Sequence, residues 1–269
     1  MSGVHSGGIM KLWLRLAILA TCLFFPAMAQ AGAWPQAPGD TQFIVSYEAG
    51  SADKGFDADG SASLLLGNWK TNQASLYIDH GVSERLTLTA KVNYRDYVTD
   101  MEKFSGLSSI EVGGRWTVKR SDDFVLAVGA SIEGLGKGRR TDFDLTTKGG
   151  TDYDLRAYAG KSFRLLGKPA FVDLQAARHL RQYEASQWRV DATLGMKPSP
   201  RLTVMAQVFA GRTDKETWGS AEWTHTQLSV VRSFGPQQKT SVQLGLRQTA
   251  AGRNVPKVNA LVISLWKTF

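Results

Sequence analysis

From residue 32 onward apolar and polar side chains alternate one by one in short runs, and no stretch keeps the 3.6-residue period of an amphipathic helix. In "LTLTAKVNYR", Leu86, Leu88, Ala90, Val92 and Tyr94 fall on one face and Thr87, Thr89, Lys91, Asn93 and Arg95 on the other. Such a strand turns one face to an apolar medium and the other to water. The alternation recurs in "FIVSYE" from Phe43, "IEVGGRWTVK" from Ile110, "FVLAVGASIE" from Phe124, "YDLRAYAGKSF" from Tyr153 and "AFVDLQA" from Ala170. It continues in "WRVDATLGM" from Trp188, "LTVMAQVFA" from Leu202, "THTQLSVVRSF" from Thr224 and "VQLGLRQ" from Val242. With "NQASLYID" from Asn72 and the closing "VNALVISLWKTF", the pattern predicts twelve strands, an even number suited to a closed antiparallel barrel.

Every second connection is short, as in "HGVSER", "RSDD", "LLGKP", "KPSP" and "GPQQK". The others are mostly long and rich in glycine and charge, among them "AGSADKGFDADGSASLLLG", "RDYVTDMEKFSGLS", "GLGKGRRTDFDLTTKGG" and "AGRTDKETWGS". Short turns on one side and long loops on the other fit a transmembrane β-barrel with its turns in the periplasm. On that topology Phe43, Trp116, Phe124, Phe163, Phe234 and Phe269 reach the periplasmic rim on the outward face, and Tyr47, Tyr94, Tyr153 and Trp188 the opposite rim. Two aromatic girdles at the water interfaces are what lipid demands. A soluble β-sandwich or lipocalin-like barrel also alternates, but it packs mixed large and small side chains inward. The apolar face here is a plain belt of Leu, Val and Ala.

The first segment reads as a secretory signal peptide over residues 1–31. Lys11 and Arg15 precede an apolar run from Leu16 to Phe25, and Ala29-Gln30-Ala31 offers a cleavage site before Gly32. Met10 is a second candidate start, because the nine residues before it add no charge to the n-region. The run is too short to span a bilayer, and Pro26 interrupts it. The only cysteine, Cys22, lies inside this segment in a poor lipoprotein context, so the barrel expected over residues 32–269 has no thiol. Its stability must come from packing and closed hydrogen bonding.

In the last strand Leu261, Ile263, Leu265 and Phe269 share the outward face. A final strand ending in an aromatic residue resembles the C-terminal signature of Gram-negative outer-membrane proteins. The resemblance implies that the β-barrel assembly machinery reads these residues and that the protein resides in the outer membrane. Lys267 departs from the pattern, standing where an apolar or aromatic residue is usual. The opening of the barrel, "GAWPQAPGDTQFIVSYEAGSADKGFDADG", resembles the start of XagA-like barrels associated with exopolysaccharide synthesis. That resemblance implies polysaccharide as a partner, beside the lipid and lipopolysaccharide that any barrel in this membrane meets.

No enzyme is expected. Barrel lipases need a serine two residues after a histidine, and His80, His179 and His225 have none there. Omptin-type proteases pair Asp-x-Asp with Asp-x-His; Asp142 with Asp144 and Asp152 with Asp154 supply the first, and nothing supplies the second. No ligand-cluster spacing calls for a metal and no motif for a cofactor. The net charge of +8 is spread over strands and loops without a basic stripe, which argues against nucleic acid as a partner. Lys137, Arg139 and Arg140 in one long loop suit lipopolysaccharide phosphates and equally a solvated loop.

The inward faces carry the remaining chemistry. Strands three to eight present Lys91, Arg95, Glu111, Arg115, Glu133, Asp154, Arg156, Asp173, Arg189 and Asp191, a charged wall. Strands nine to eleven present Gln207, Gln227 and Gln243, and Tyr158, Phe209 and Trp266 add flat faces suited to a sugar ring. Twelve strands leave room either for a narrow polar conduit or for a packed interior. The expectation is an all-β, twelve-stranded antiparallel transmembrane barrel passing or exporting a polar solute, including polysaccharide. The alternative is a non-conducting barrel with a structural or adhesive role.

Overall fold

The computed structural model describes residues 32–99, 103–135, 150–215 and 219–269. The expected signal peptide, Lys137, Arg139, Arg140 and the Asp142–Asp144 pair lie outside the described residues. The described residues form twelve long strands and one two-residue piece: β1 (Thr41–Phe56), β2 (Ala62–Gly81), β3 (Leu86–Val98), β4 (Lys103–Arg120), β5 (Phe124–Leu135), β6 (Thr151–Leu165), β7 (Lys168–Leu180), β8 (Gln187–Ser199), β9 (Leu202–Thr213), β10 (Glu222–Phe234), β11 (Thr240–Arg253), β12 (Val255–Pro256) and β13 (Asn259–Thr268). Each long strand pairs antiparallel with its sequence neighbours, β11 with β13 across the short piece. The ring closes where β13 pairs with β1, from Gln42↔Thr268 to Ser51↔Asn259. Every long strand therefore has a partner on both sides, which removes the unpaired backbone that hydrocarbon would not tolerate.

The outward face is the predicted belt. Leu88, Val112, Val128, Leu155, Leu174, Val190, Leu228, Leu244, Leu261, Ile263 and Leu265 are all exposed on it. Tyr47, Tyr94, Tyr153 and Trp188 are exposed toward one rim and Trp116, Phe163, Phe234 and Phe269 toward the other. The Phe269 ring meets Phe43 edge-on at 5.6 Å, and its backbone N–H donates to the Thr41 carbonyl, so the seam is fastened at its periplasmic end.

Two of the expected long loops are largely strand. β1 and β2 pair up to Phe56↔Ala62, leaving a tip over 57–61 in which the Asp57 carboxylate accepts from the N–H groups of Asp59 and Ser61. The extension is held from both sides, because Gly55 and Phe56 pair with Val255–Pro256 as well. β3 and β4 likewise pair up to Val98↔Lys103, and Tyr97 stacks between Trp69 and Phe104 at 6.3 and 6.0 Å. Cross-strand aromatic contact of this kind compensates the weak alternation there. On the β9–β10 connection, Asp214 receives both guanidinium arms of Arg178, whose hydrogen bonds hold that carboxyl below the usual carboxylate range.

The sidedness is testable because the barrel residues contain no cysteine. Asp59→Cys at the β1–β2 tip is expected to react with a membrane-impermeant maleimide on intact cells, and Gln237→Cys in the β10–β11 turn only after lysis. The reverse pattern would invert the topology.

Candidate functional site: the barrel interior

The interior has two storeys. The lower, periplasmic storey is filled. Phe171 on β7, Met205 on β9 and Val231 on β10 form a buried apolar cluster, and Trp266 on β13 packs against it. Above it lies a network of amides and hydroxyls: Gln227 donates to Gln207 and to Ser229, Gln243 donates to Ser229, and Gln207 donates to Thr193. The neutral wall read from the sequence is thus a closed hydrogen-bond network, with each amide donor engaged.

The rest of the lower storey is occupied by the chain itself. Residues 33–36, Ala-Trp-Pro-Gln, enter the periplasmic mouth ahead of β1, and Ala33, Pro35 and Gln36 are buried there. Three hydrogen bonds hold them: Ala33 N–H to Asp173 Oδ2 at 2.7 Å, Arg115 Nη2 to the Trp34 carbonyl at 3.1 Å, and Gln36 N–H to Thr87 Oγ1 at 3.1 Å. The Trp34 ring stands edge-on to Phe171 at 6.3 Å. Two glycines make room, since a Cβ on Gly160 would lie 2.6 Å from the Trp34 ring and one on Gly81 would lie 2.1 Å from the Ala37 carbonyl oxygen. Nothing in the alternation of the strands foretells this stopper.

The upper storey is a polar cavity of 630 Å³. Among the predicted charged residues, Lys91, Arg95, Glu111, Arg115, Glu133, Asp154, Arg156, Arg189 and Asp191 line it, while Asp173 sits below with its carboxylate on the stopper. Arg156 bridges Asp154 at 3.1 Å and Asp191 at 2.7 Å. Arg95 donates twice to Gln73, and Arg189 twice to Gln187. Glu111 faces Lys91 across the β3–β4 ladder and accepts from Ser131. Arg115 is buried at the floor, 3.0 Å from Asp79.

Tyr158 and Phe209 line the cavity, but each has a guanidinium over its ring: Arg115 at 5.4 Å and Arg247 at 4.8 Å. Trp266 lies with the apolar cluster of the lower storey and does not line the cavity. Arg247 itself reaches diagonally across β13 to Glu48 at 2.9 Å; its ladder partner on β13 is the small Ala260, and that of Glu48 is Val262.

Several interior residues escaped the sequence reading. Asp79 is one, and Asp152, His179 and Glu48 are others. The run "AFVDLQA" stops at Ala176, yet the ladder of strand seven continues to Leu180 and the alternation through Asp173, Gln175 and Ala177 places His179 inward. The register Asp154↔His179 then sets the imidazole beside the Asp152–Asp154 pair. No spacing along the sequence calls for a metal, but the fold brings one donor atom each of Glu133, Asp152 and His179 within 4.8 Å of one another. Sequence spacing misses them because they come from three different strands.

A closed twelve-stranded barrel with an apolar outer belt and a polar interior is a Gram-negative outer-membrane β-barrel. Solved structures of that class share its fold. The COG4313 outer-membrane channel from Pseudomonas putida F1 superposes with a TM-score of 0.70 at 15% identity, covering 90% of this chain and 100% of that one. The NanC porin gives 0.55 at 10% identity, covering 83% and 98%, and the KdgM porin 0.52 at 10%, covering 84% and 99%. No protein-family model matches the sequence, and no curated protein matches it.

Proposed function

We propose that the barrel is a gated channel for small polar solutes, its periplasmic mouth closed by residues 33–36. The observation that carries the reading is the 630 Å³ cavity, which lies directly above a stopper held by three hydrogen bonds and one aromatic contact. That volume is in the range of cavities that bind small ligands. The likeness to channels and porins agrees with a conducting role. Six cations and five carboxylates line the cavity, so selectivity is weak and tilted toward anions. A polysaccharide solute rests on the XagA-like opening alone. The outer belt would meet lipid and lipopolysaccharide, and Leu261, Ile263, Leu265 and Phe269 would serve the assembly machinery.

The second reading, a structural barrel, draws on the filled lower storey. Bilayer recording on the purified, refolded protein separates the two. Discrete conductance steps are expected, and Lys91→Glu with Arg95→Glu is expected to move the reversal potential under a salt gradient from slightly anion-selective to cation-selective. A folded barrel that never conducts, with or without its stopper, would establish the structural reading instead.

A further inference from the structure

The interior holds a second constellation that passage of solute does not require. His179 is buried on β7, and its Nε2 stands 3.1 Å from Asp152 Oδ2 on β6 and 3.7 Å from Glu133 Oε2 on β5. Donors on a tetrahedral zinc ion, bound at about 2.0–2.1 Å, stand about 3.4 Å apart. The two observed separations bracket that spacing. One imidazole nitrogen thus faces two carboxylate oxygens at once, an arrangement that a single N–H serves poorly and a shared cation serves well.

The surroundings match those of a metal-binding histidine. The other ring nitrogen, Nδ1, lies 3.5 Å from Asp154 Oδ2, so a carboxylate stands behind the imidazole and can fix its tautomer. The second oxygen of Asp152 is oriented by the Gln182 N–H at 3.1 Å, which leaves Oδ2 turned toward His179. Glu133, Asp154 and His179 all line the cavity, which gives an ion a route in. We infer that Glu133, Asp152 and His179 form a binding site for a first-row divalent cation, zinc above all, with Asp154 as its supporting carboxylate. One imidazole with two carboxylates favours zinc over calcium, which takes oxygen ligands only. The guanidinium of Arg181, 3.5 Å from Asp152 Oδ2, competes for that oxygen, so binding is exchangeable.

The test is calorimetric titration of zinc sulfate into the refolded, tag-free protein after treatment with a chelator. One zinc per chain is expected. His179→Ala should weaken binding at least tenfold, and Asp154→Asn by about 10- to 100-fold, the usual effect of a supporting carboxylate. Arg181→Gln should tighten it, and His80→Ala, at the far end of the barrel, should leave it unchanged. Heat-modifiable gel mobility checks that each variant has folded; if His179→Ala does not fold, Glu133→Gln, the more exposed ligand, takes its place and must show the same loss. Absence of zinc uptake by the wild-type protein, or undiminished uptake by the folded ligand variant, would overturn the assignment. Neither result depends on whether the barrel conducts.

Discussion

Replacing residues 33–36 by Gly-Ser-Gly-Ser is expected to raise the single-channel conductance several-fold and to lengthen the open times, while the barrel still assembles. The wall does not depend on these residues, because its hydrogen bonds are strand to strand and the ring closes between β1 and β13. The stopper depends on three polar contacts and the Trp34 ring. A net hydrogen bond contributes about 0.5–1.5 kcal/mol, so a stopper so held is readily displaced compared with a covalent plug. Trp34→Gly alone should give part of the effect, since it removes the contact with Phe171 but keeps Pro35 and its fixed backbone, whereas four Gly and Ser residues also make the ordered backbone, and with it the three main-chain hydrogen bonds, costlier to hold. Bilayer recording at one salt concentration measures both. Equal conductance of wild-type and replaced proteins, both folded, would show that the stopper does not limit passage and that the constriction lies in the cluster of Phe171, Met205, Val231 and Trp266.

A still larger effect is expected at Arg115. Its side chain is only 2% exposed, bonded to Asp79 and to the Trp34 carbonyl. Removing one partner of a buried pair leaves the other charged and desolvated, at about 3–5 kcal/mol. Arg115→Met should therefore lose most folded protein, seen as loss of heat-modifiable mobility and a lower urea midpoint in lipid. Arg115→Met combined with Asp79→Leu should recover most of the yield, because an apolar pair of similar volume is often neutral. Arg156 differs, with a side chain that stays partly wet in the cavity between Asp154 and Asp191. Arg115→Met folding as well as the wild-type barrel would refute the account of the floor.

The contrast between the two arginines also marks what the sequence made legible. Alternation assigned both to the interior, because a one-residue slip would turn every apolar side chain of the strand away from lipid. Depth and partner depend on register, which alternation does not encode. Asp79 lies on β2, where the pattern is weak, and meets Arg115 across the intervening β3. His179 is hidden for a related reason: the clear alternation of its strand stops at Ala176, four residues before the ladder does, and its partners are the acids of β5 and β6. The stopper was illegible in another way. "AWPQ" has no period, and its anchor Asp173 is 140 residues away in the chain. The girdles and the turns on the periplasmic side needed no such distant information, since each depends on neighbours within one strand or one hairpin.

The seam between β1 and β13 governs how such a molecule is made. Gln42 and Thr268 are direct partners although more than two hundred residues separate them along the chain. Ten successive residue pairs of that kind close the ring at once. Contacts so distant return nothing until the intervening polypeptide is ordered, and chains dominated by them fold slowly. A nascent chain therefore exposes the unpaired edge of β1, with Phe43, Val45 and Tyr47 on it, until β13 arrives. During that interval the edge is open to other strands and prone to aggregation. Closure cannot precede the arrival of β13, so the whole chain must be present before the ring is shut, and a periplasmic factor that shields the β1 edge until then would protect yield.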